Sequence, residues 1–176
     1  MRKLKLQMNF VGIDWDNEMV DFCIDNLKNV DSILLGRKTA EDFIPYWAAV
    51  AKNPDPNDIN SRLGKPLTDI PKTVFSNTLG DSQWTNATIV RGDIAQEIKN
   101  LKENKGKDII VYGGNTFVSS LVQRKLFDEY YLLVNPLAVS NDDPILKFIN
   151  PSLRLTLLEC KPFPCGTVLL RYSKQE

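Results

Sequence analysis

Asp108-Ile109-Ile110-Val111-Tyr112-Gly113-Gly114-Asn115-Thr116-Phe117-Val118 reads as an apolar strand that ends in two glycines and passes at once into a helix. Glycines at such a junction let the backbone turn tightly and let a ligand approach the main chain. The helix start offers unpaired N–H groups and the positive end of the helix dipole, a setting that suits phosphate. The same arrangement also serves as a plain turn, so a second junction of the same build matters. Ser32-Ile33-Leu34-Leu35-Gly36-Arg37-Lys38-Thr39 again runs an apolar strand into a glycine. A helix is expected there from about Thr39, with Asp42 spaced to complete a capping box. Arg37 and Lys38 stand at that helix start, where the dipole prefers anions. A bound anion would resolve the conflict; side chains turned into water would do so equally.

Outward from these junctions the pattern is regular. Lys3–Met8 is a strand, with Leu4, Leu6 and Met8 alternating. Asn17–Lys28 is a helix, because Val20, Cys23, Ile24 and Leu27 recur at helical spacing, with Asp16 or Asn17 as its cap. The helix from Thr39 is expected to break near Pro45, and residues 53–71 to run irregularly. Further strands are expected at Lys72–Ser76, Ala87–Val90 and Glu129–Val134, with a short helix from Asp93. Leu153–Glu159 and Thr167–Arg171 close the chain as a hairpin across Pro162-Phe163-Pro164-Cys165-Gly166. Such alternation predicts one α/β domain over residues 1–176: a mostly parallel sheet covered on both faces, with an antiparallel hairpin at one edge. Ligands of such sheets bind beyond the carboxyl ends of the strands, where Gly36, Ser76 and Gly113-Gly114 fall.

Composition narrows the chemistry. Lys plus Arg and Asp plus Glu number 22 each among 176 residues, so no global field draws nucleic acid or an anionic membrane. There is no histidine, which removes Ser-His-Asp and Cys-His catalysis and any His-ligated metal. Acid–base work then falls to carboxylates, Lys, Tyr, Cys, water or a cofactor. Cys23, Cys160 and Cys165 form no C-x-x-C pair, and an odd number argues against a disulfide framework. No apolar run spans a membrane and the N-terminus lacks a signal-peptide core, so a cytoplasmic protein without a membrane partner is expected.

Taken in order, Ile33-Leu34-Leu35-Gly36-Arg37-Lys38-Thr39, Lys72-Thr73-Val74-Phe75-Ser76-Asn77-Thr78-Leu79 and Ile109-Ile110-Val111-Tyr112-Gly113-Gly114 resemble the dihydrofolate reductase superfamily. Leu126-Phe127-Asp128-Glu129-Tyr130 and Asn135-Pro136 continue the likeness. It is nearest to the bacterial branch related to the reductase domain of the bifunctional riboflavin-biosynthesis deaminase/reductase. The resemblance implies a three-layer α/β/α fold, NADPH as cofactor, and hydride transfer to a small pterin-like or riboflavin-precursor-like heterocycle. It places Gly36, Arg37, Lys38 and Thr39 at the pyrophosphate and adenosine side. Ser76, Asn77 and Thr78 go to the ribose and its 2′-phosphate, and Gly113, Gly114, Asn115 and Thr116 to the pyrophosphate and the nicotinamide approach. Preference for NADPH over NADH would rest on Arg37, Lys38 or Arg91. On the substrate side Glu18 and Phe22 match the family's acid and aromatic one turn apart, with Asp21 as the competing carboxylate.

Two departures stand against it. The family's Ser-x-Asp-Gly loop is replaced by Asn9-Phe10-Val11-Gly12-Ile13-Asp14, about a dozen residues shorter than expected. Asn141-Asp142-Asp143 stands where relatives often carry glycines. The short loop favours an alternative, a non-catalytic nucleotide-binding or sensor protein on the same fold. The branch is commonly dimeric, and the apolar run Tyr130–Val134 needs both faces covered, so a two-fold homodimer is expected.

Overall fold

Leu4 and Leu6 alternate with Lys5 and Gln7 in what becomes a central strand of the sheet. A computed structural model describes residues 1–8, 15–81, 84–137 and 152–175. In chain order the elements are β1 (Leu4–Met8), α1 (Asn17–Lys28), β2 (Val30–Gly36), α2 (Arg37–Lys52), a 3-10 helix (Ile59–Leu63) and α3 (Gly64–Asp69). Then follow β3 (Lys72–Phe75), β4 (Ala87–Val90), α4 (Ile94–Glu103), β5 (Asp108–Val111), α5 (Asn115–Gln123), β6 (Glu129–Val134), β7 (Leu155–Pro162) and β8 (Val168–Lys174). The strands form one sheet in the order β4-β3-β2-β5-β1-β6-β8-β7. From β4 to β6 neighbours are parallel; β8 runs antiparallel to both β6 and β7. The shortened loop after Met8 and Asn141-Asp142-Asp143 lie outside the described residues.

Two cores separate the layers. On one face Met19, Val20, Cys23 and Leu27 of α1, Ala40 and Ile44 of α2 and Leu67 of α3 pack on Ile33, Leu35, Val74, Ile110 and Leu133. On the other, Ile98 of α4 and Val118, Leu121 and Val122 of α5 pack on Leu4, Leu6, Leu34, Ile109 and Val111. Adjacent residues of one strand thus serve opposite cores, as the strand period of two requires. This is the three-layer dihydrofolate reductase-like architecture. None of the described helices is long and apolar enough to cross a membrane.

Three local expectations are corrected. First, α2 begins at Arg37 rather than Thr39, because Gly36 is both the last residue of β2 and the helix cap; no Thr39–Asp42 capping box forms. Second, α2 runs unbroken through Pro45, whose ring is on the exposed side, so only the bond to the Glu41 carbonyl is forgone. Third, the stretch expected to be irregular holds a 3-10 helix and α3, anchored by Leu63 and Leu67, which are 3% and 4% exposed. Pro66 falls in the first turn of α3, where its missing N–H costs nothing. The closing hairpin is present, with β7 starting two residues later than expected and running on to Pro162, and β8 continuing to Lys174. Its turn is closed by Phe163 N–H donating to the Thr167 carbonyl at 2.8 Å, with Gly166 at φ +86°.

Buried polar groups mark the junction of the parallel and antiparallel parts. Glu129, 2% exposed at the start of β6, accepts hydrogen bonds from Lys3 at 2.5 Å, the Tyr131 hydroxyl at 3.0 Å and Arg171 at 3.0 Å. Burial alone would raise its pKa, but these donors outweigh burial and hold the carboxyl below its usual range. On β1, Lys5 pairs with Asp108 at 2.9 Å, and Gln7 accepts from Asn26 at 3.1 Å.

Candidate functional site

Gly36 and Gly114 each cap a helix from extended backbone, at φ −80° and −75°, and neither helix has a side-chain cap on its first N–H groups. Both starts border one cavity of about 490 Å³ at the carboxyl edge of the sheet. Gly36, Arg37, Lys38, Thr39, Gly114, Asn115 and Thr116 line it, with the rings of Phe75 and Phe117 as its apolar wall. Those two rings pack with centroids 5.6 Å apart. The Gly114 N–H donates to Thr39 Oγ1 at 3.0 Å, so the third residue of α2 is tied to the cap of α5. The two junctions singled out in the sequence are therefore one place.

The glycines there answer to different constraints. A Cβ on Gly36 would sit 2.9 Å from Phe117 Cβ, so packing alone demands glycine. On Gly113 it would lie 3.3 Å from the Phe117 ring. On Gly114 it would meet only Thr39 Oγ1, at an ordinary 3.7 Å, and the backbone there suits any residue. Nothing among the described residues requires position 114 to be bare; a ligand lying across it would. With two uncapped helix starts and two cations at the rim, the cavity suits an anionic group such as phosphate.

The charges are partly compensated from within. Arg37 Nη1 pairs with Glu41 one turn on, at 2.9 Å and with both side chains 39% exposed. Among the described residues no carboxylate pairs with Lys38. Ser76, just past β3, accepts from the N–H groups of Thr78 at 3.2 Å and Leu79 at 3.0 Å, which folds the following residues into a tight turn. Asn77 and Thr78 are exposed on that turn, on the same edge as the cavity but not in its lining. Arg91 is spent bracing it, donating to the Leu79 and Gly80 carbonyls at 2.7 and 2.8 Å.

The substrate-side residues lie on α1. Asp16 caps it by accepting from Met19 N–H at 2.8 Å, and its other oxygen accepts from Cys165 N–H at 2.6 Å, which fixes the helix start against the β7–β8 turn. These backbone bonds, Met19's the strongest, keep the Asp16 carboxyl low. Glu18 is exposed, 3.9 Å from Lys161 Nζ on β7. Phe22, a turn later, packs on Phe163 and Tyr131 at 5.7 and 6.4 Å between centroids. Asp21 is held by an ion pair to Arg62 of the 3-10 helix.

Two residues escaped the sequence reading. Tyr112, directly before Gly113, stacks on Phe43 of α2 at 5.5 Å, and burial, then Cys23, pushes its hydroxyl pKa up. Cys23 is itself raised to about 12 by burial, against a hydrogen bond from Gln7. At this site Tyr112 is a neutral wall between α1 and α2, flanking the glycine junction. The signal was an aromatic at the last step before a strand-end glycine pair.

Comparison with known proteins agrees with this architecture. The family model of the RibD C-terminal domain matches residues 14–169. The uncharacterized protein YyaP of Bacillus subtilis is 30% identical over 168 residues, covering 91% of this chain and 87% of the relative. Among solved structures, a putative riboflavin biosynthesis protein from Shewanella superposes with a TM-score of 0.70 at 13% identity, covering 99% of both chains. A dihydrofolate reductase from Enterococcus faecalis, solved with NADP(H), gives 0.61 at 15% identity, covering 99% of this chain and 97% of that one.

Proposed function

The chain belongs to the RibD C-terminal domain family, and from that premise we propose that it is an NADPH-dependent reductase of a small heterocyclic substrate, pterin-like or riboflavin-precursor-like. One observation carries the reading: two uncapped helix starts share a cavity across a glycine, Gly114, that the fold itself does not require. Main-chain N–H groups at the starts of α2 and α5 hold the pyrophosphate, with Arg37 and Lys38 neutralising charge at the rim. Gly113, Gly114, Asn115 and Thr116 line the approach of the nicotinamide. The Ser76–Thr78 turn stands on the ribose side, with Ser76 shaping the turn and Asn77 and Thr78 presented to the ligand. NADPH supplies the hydride when bound. The chain supplies alignment: Thr39 fixes the two helix starts in one geometry, and Tyr112 and Phe22 give apolar surface that keeps water from the reacting face. Glu18, exposed at the mouth of α1, passes a proton through water.

Titration with NADPH, followed by its oxidation against a panel of pterins and flavin precursors, tests the two halves of the proposal separately. Binding with turnover of one panel member is expected. Binding without turnover across the panel would favour the non-catalytic nucleotide-binding protein, and absence of binding would overturn both.

A further inference from the structure

Lys72 opens β3 at the end of that strand away from the glycine junctions, and it faces the opposite layer from Phe75. The residue is only 4% exposed. The ammonium donates to the Thr68 carbonyl in the last turn of α3 at 2.5 Å and makes no ion pair among the described residues. Asp69, the nearest acid, is held by Lys65 at 2.6 Å. Beside Lys72 lies a cavity of about 220 Å³ between α2 and α3, walled by Pro45, Trp47, Trp84 and Thr85. Thr68 also lines it, and its hydroxyl oxygen is buried with no hydrogen-bond partner among the described residues.

Such a space contains a charge without its complement. An ammonium has three donors, of which one is used here. A buried cation without a counter-ion is costly, and the protein registers that cost: burial, against the pull of Asp69, brings Lys72 down to about 8. A buried hydroxyl without a partner adds a second unmet polar group. The rest of the wall is flat and apolar, with two indole rings. The volume is too small for a dinucleotide and fits a single ring.

We propose that this cavity is a second binding site, distinct from the dinucleotide cavity, that takes a small aromatic carboxylate. The carboxylate meets the Lys72 ammonium, and the ring lies against Trp47 and Trp84. The lining holds no titratable side chain besides Lys72, and Asp69 with its partner Lys65 is the charged pair facing it from α3. Occupancy neutralises the cation where it sits and needs no movement of the sheet.

Benzoate is the probe, with benzamide as its neutral isostere, followed by tryptophan fluorescence and by the Lys72 ε-methylene resonance. Benzoate is expected to bind at least about tenfold more tightly than benzamide. Its affinity should weaken as pH rises past about 8, where the free ammonium loses its proton. Bound benzoate should move the Lys72 titration upward, since an anion favours the charged form. Lys72→Met should weaken benzoate by about tenfold or more while NADPH binds as before, which also certifies the fold of the variant. Equal affinity for benzoate and benzamide, an unmoved Lys72 titration, or undiminished binding to Lys72→Met would each overturn the proposal. Absence of benzoate binding would leave Lys72 as a cap on α3 and overturn it as well. The titration in the unsubstituted protein decides the matter even if the variant does not fold.

Discussion

Replacing Gly114 with Val tests the cofactor proposal at one position. The backbone there accepts a side chain and the chain leaves room for its Cβ, so the variant is expected to fold with little change in thermal midpoint. If phosphates lie across this glycine, NADPH affinity falls at least tenfold, about 1.4 kcal/mol. Unchanged affinity in the folded variant removes the central claim. Arg37→Ala probes the charge at the same rim. Its pair with Glu41 is a surface one and contributes little to stability, so the fold should be indifferent. If Arg37 meets a cofactor phosphate, the variant loses roughly 1.5–3 kcal/mol of NADPH binding by isothermal titration, and less at high salt. Loss of folding instead would make Arg37 structural.

At the level of elements, the start of β6 depends on one ionised carboxylate. Glu129 is held below its usual pKa by Lys3, Tyr131 and Arg171 against the opposing pull of burial. A carboxyl whose pKa is lowered on folding contributes stability above its unfolded value, and that stability is lost as pH falls through the folded one. Denaturant midpoints should therefore hold above about pH 5 and drop progressively below about pH 4. Glu129→Gln should cost roughly 1.5–3 kcal/mol at pH 7 and flatten this acid limb. An acid limb of unchanged steepness would place the pH dependence elsewhere. Elements of this kind differ in how legible they are. The strands of the parallel part and α1 could be read because each carries a full apolar period, as with Val20, Cys23, Ile24 and Leu27. α3 was hidden because its six residues include Pro66 and supply only one buried leucine, Leu67, so that no period completes within it. The start of α2 was misplaced because Thr39 has the chemistry of a cap, yet its hydroxyl is engaged with Gly114 across the site, a tertiary bond that no local pattern reveals. The two glycine junctions were legible as motifs. That Gly114, unlike Gly36 and Gly113, is free of packing duty was not, because the role of Phe117 at Gly36 emerges only when the layers meet.

For the whole molecule, we propose that the antiparallel edge carries the two-fold contact. Val134 at the end of β6 and Leu137 beyond it are 50% and 53% exposed, and Leu157 and Leu158 on edge strand β7 are 51% and 48% exposed. A two-fold mate is the commonest closed solution for such a surface. Sedimentation at micromolar concentration is expected to give twice the chain mass of 20.0 kDa, and Leu157→Lys with Leu158→Lys should halve it without touching NADPH affinity. A 20.0 kDa species of the unsubstituted protein would defeat the dimer. The sheet order also has a consequence in time. β1 is synthesised well before both its neighbours, β5 and β6, which begin only at Asp108 and Glu129. At ordinary elongation rates it waits roughly ten seconds for the slot it will fill. Lys5 and Gln7 interrupt its apolar run, and polar residues of this kind make an unpaired strand a poorer template for self-pairing.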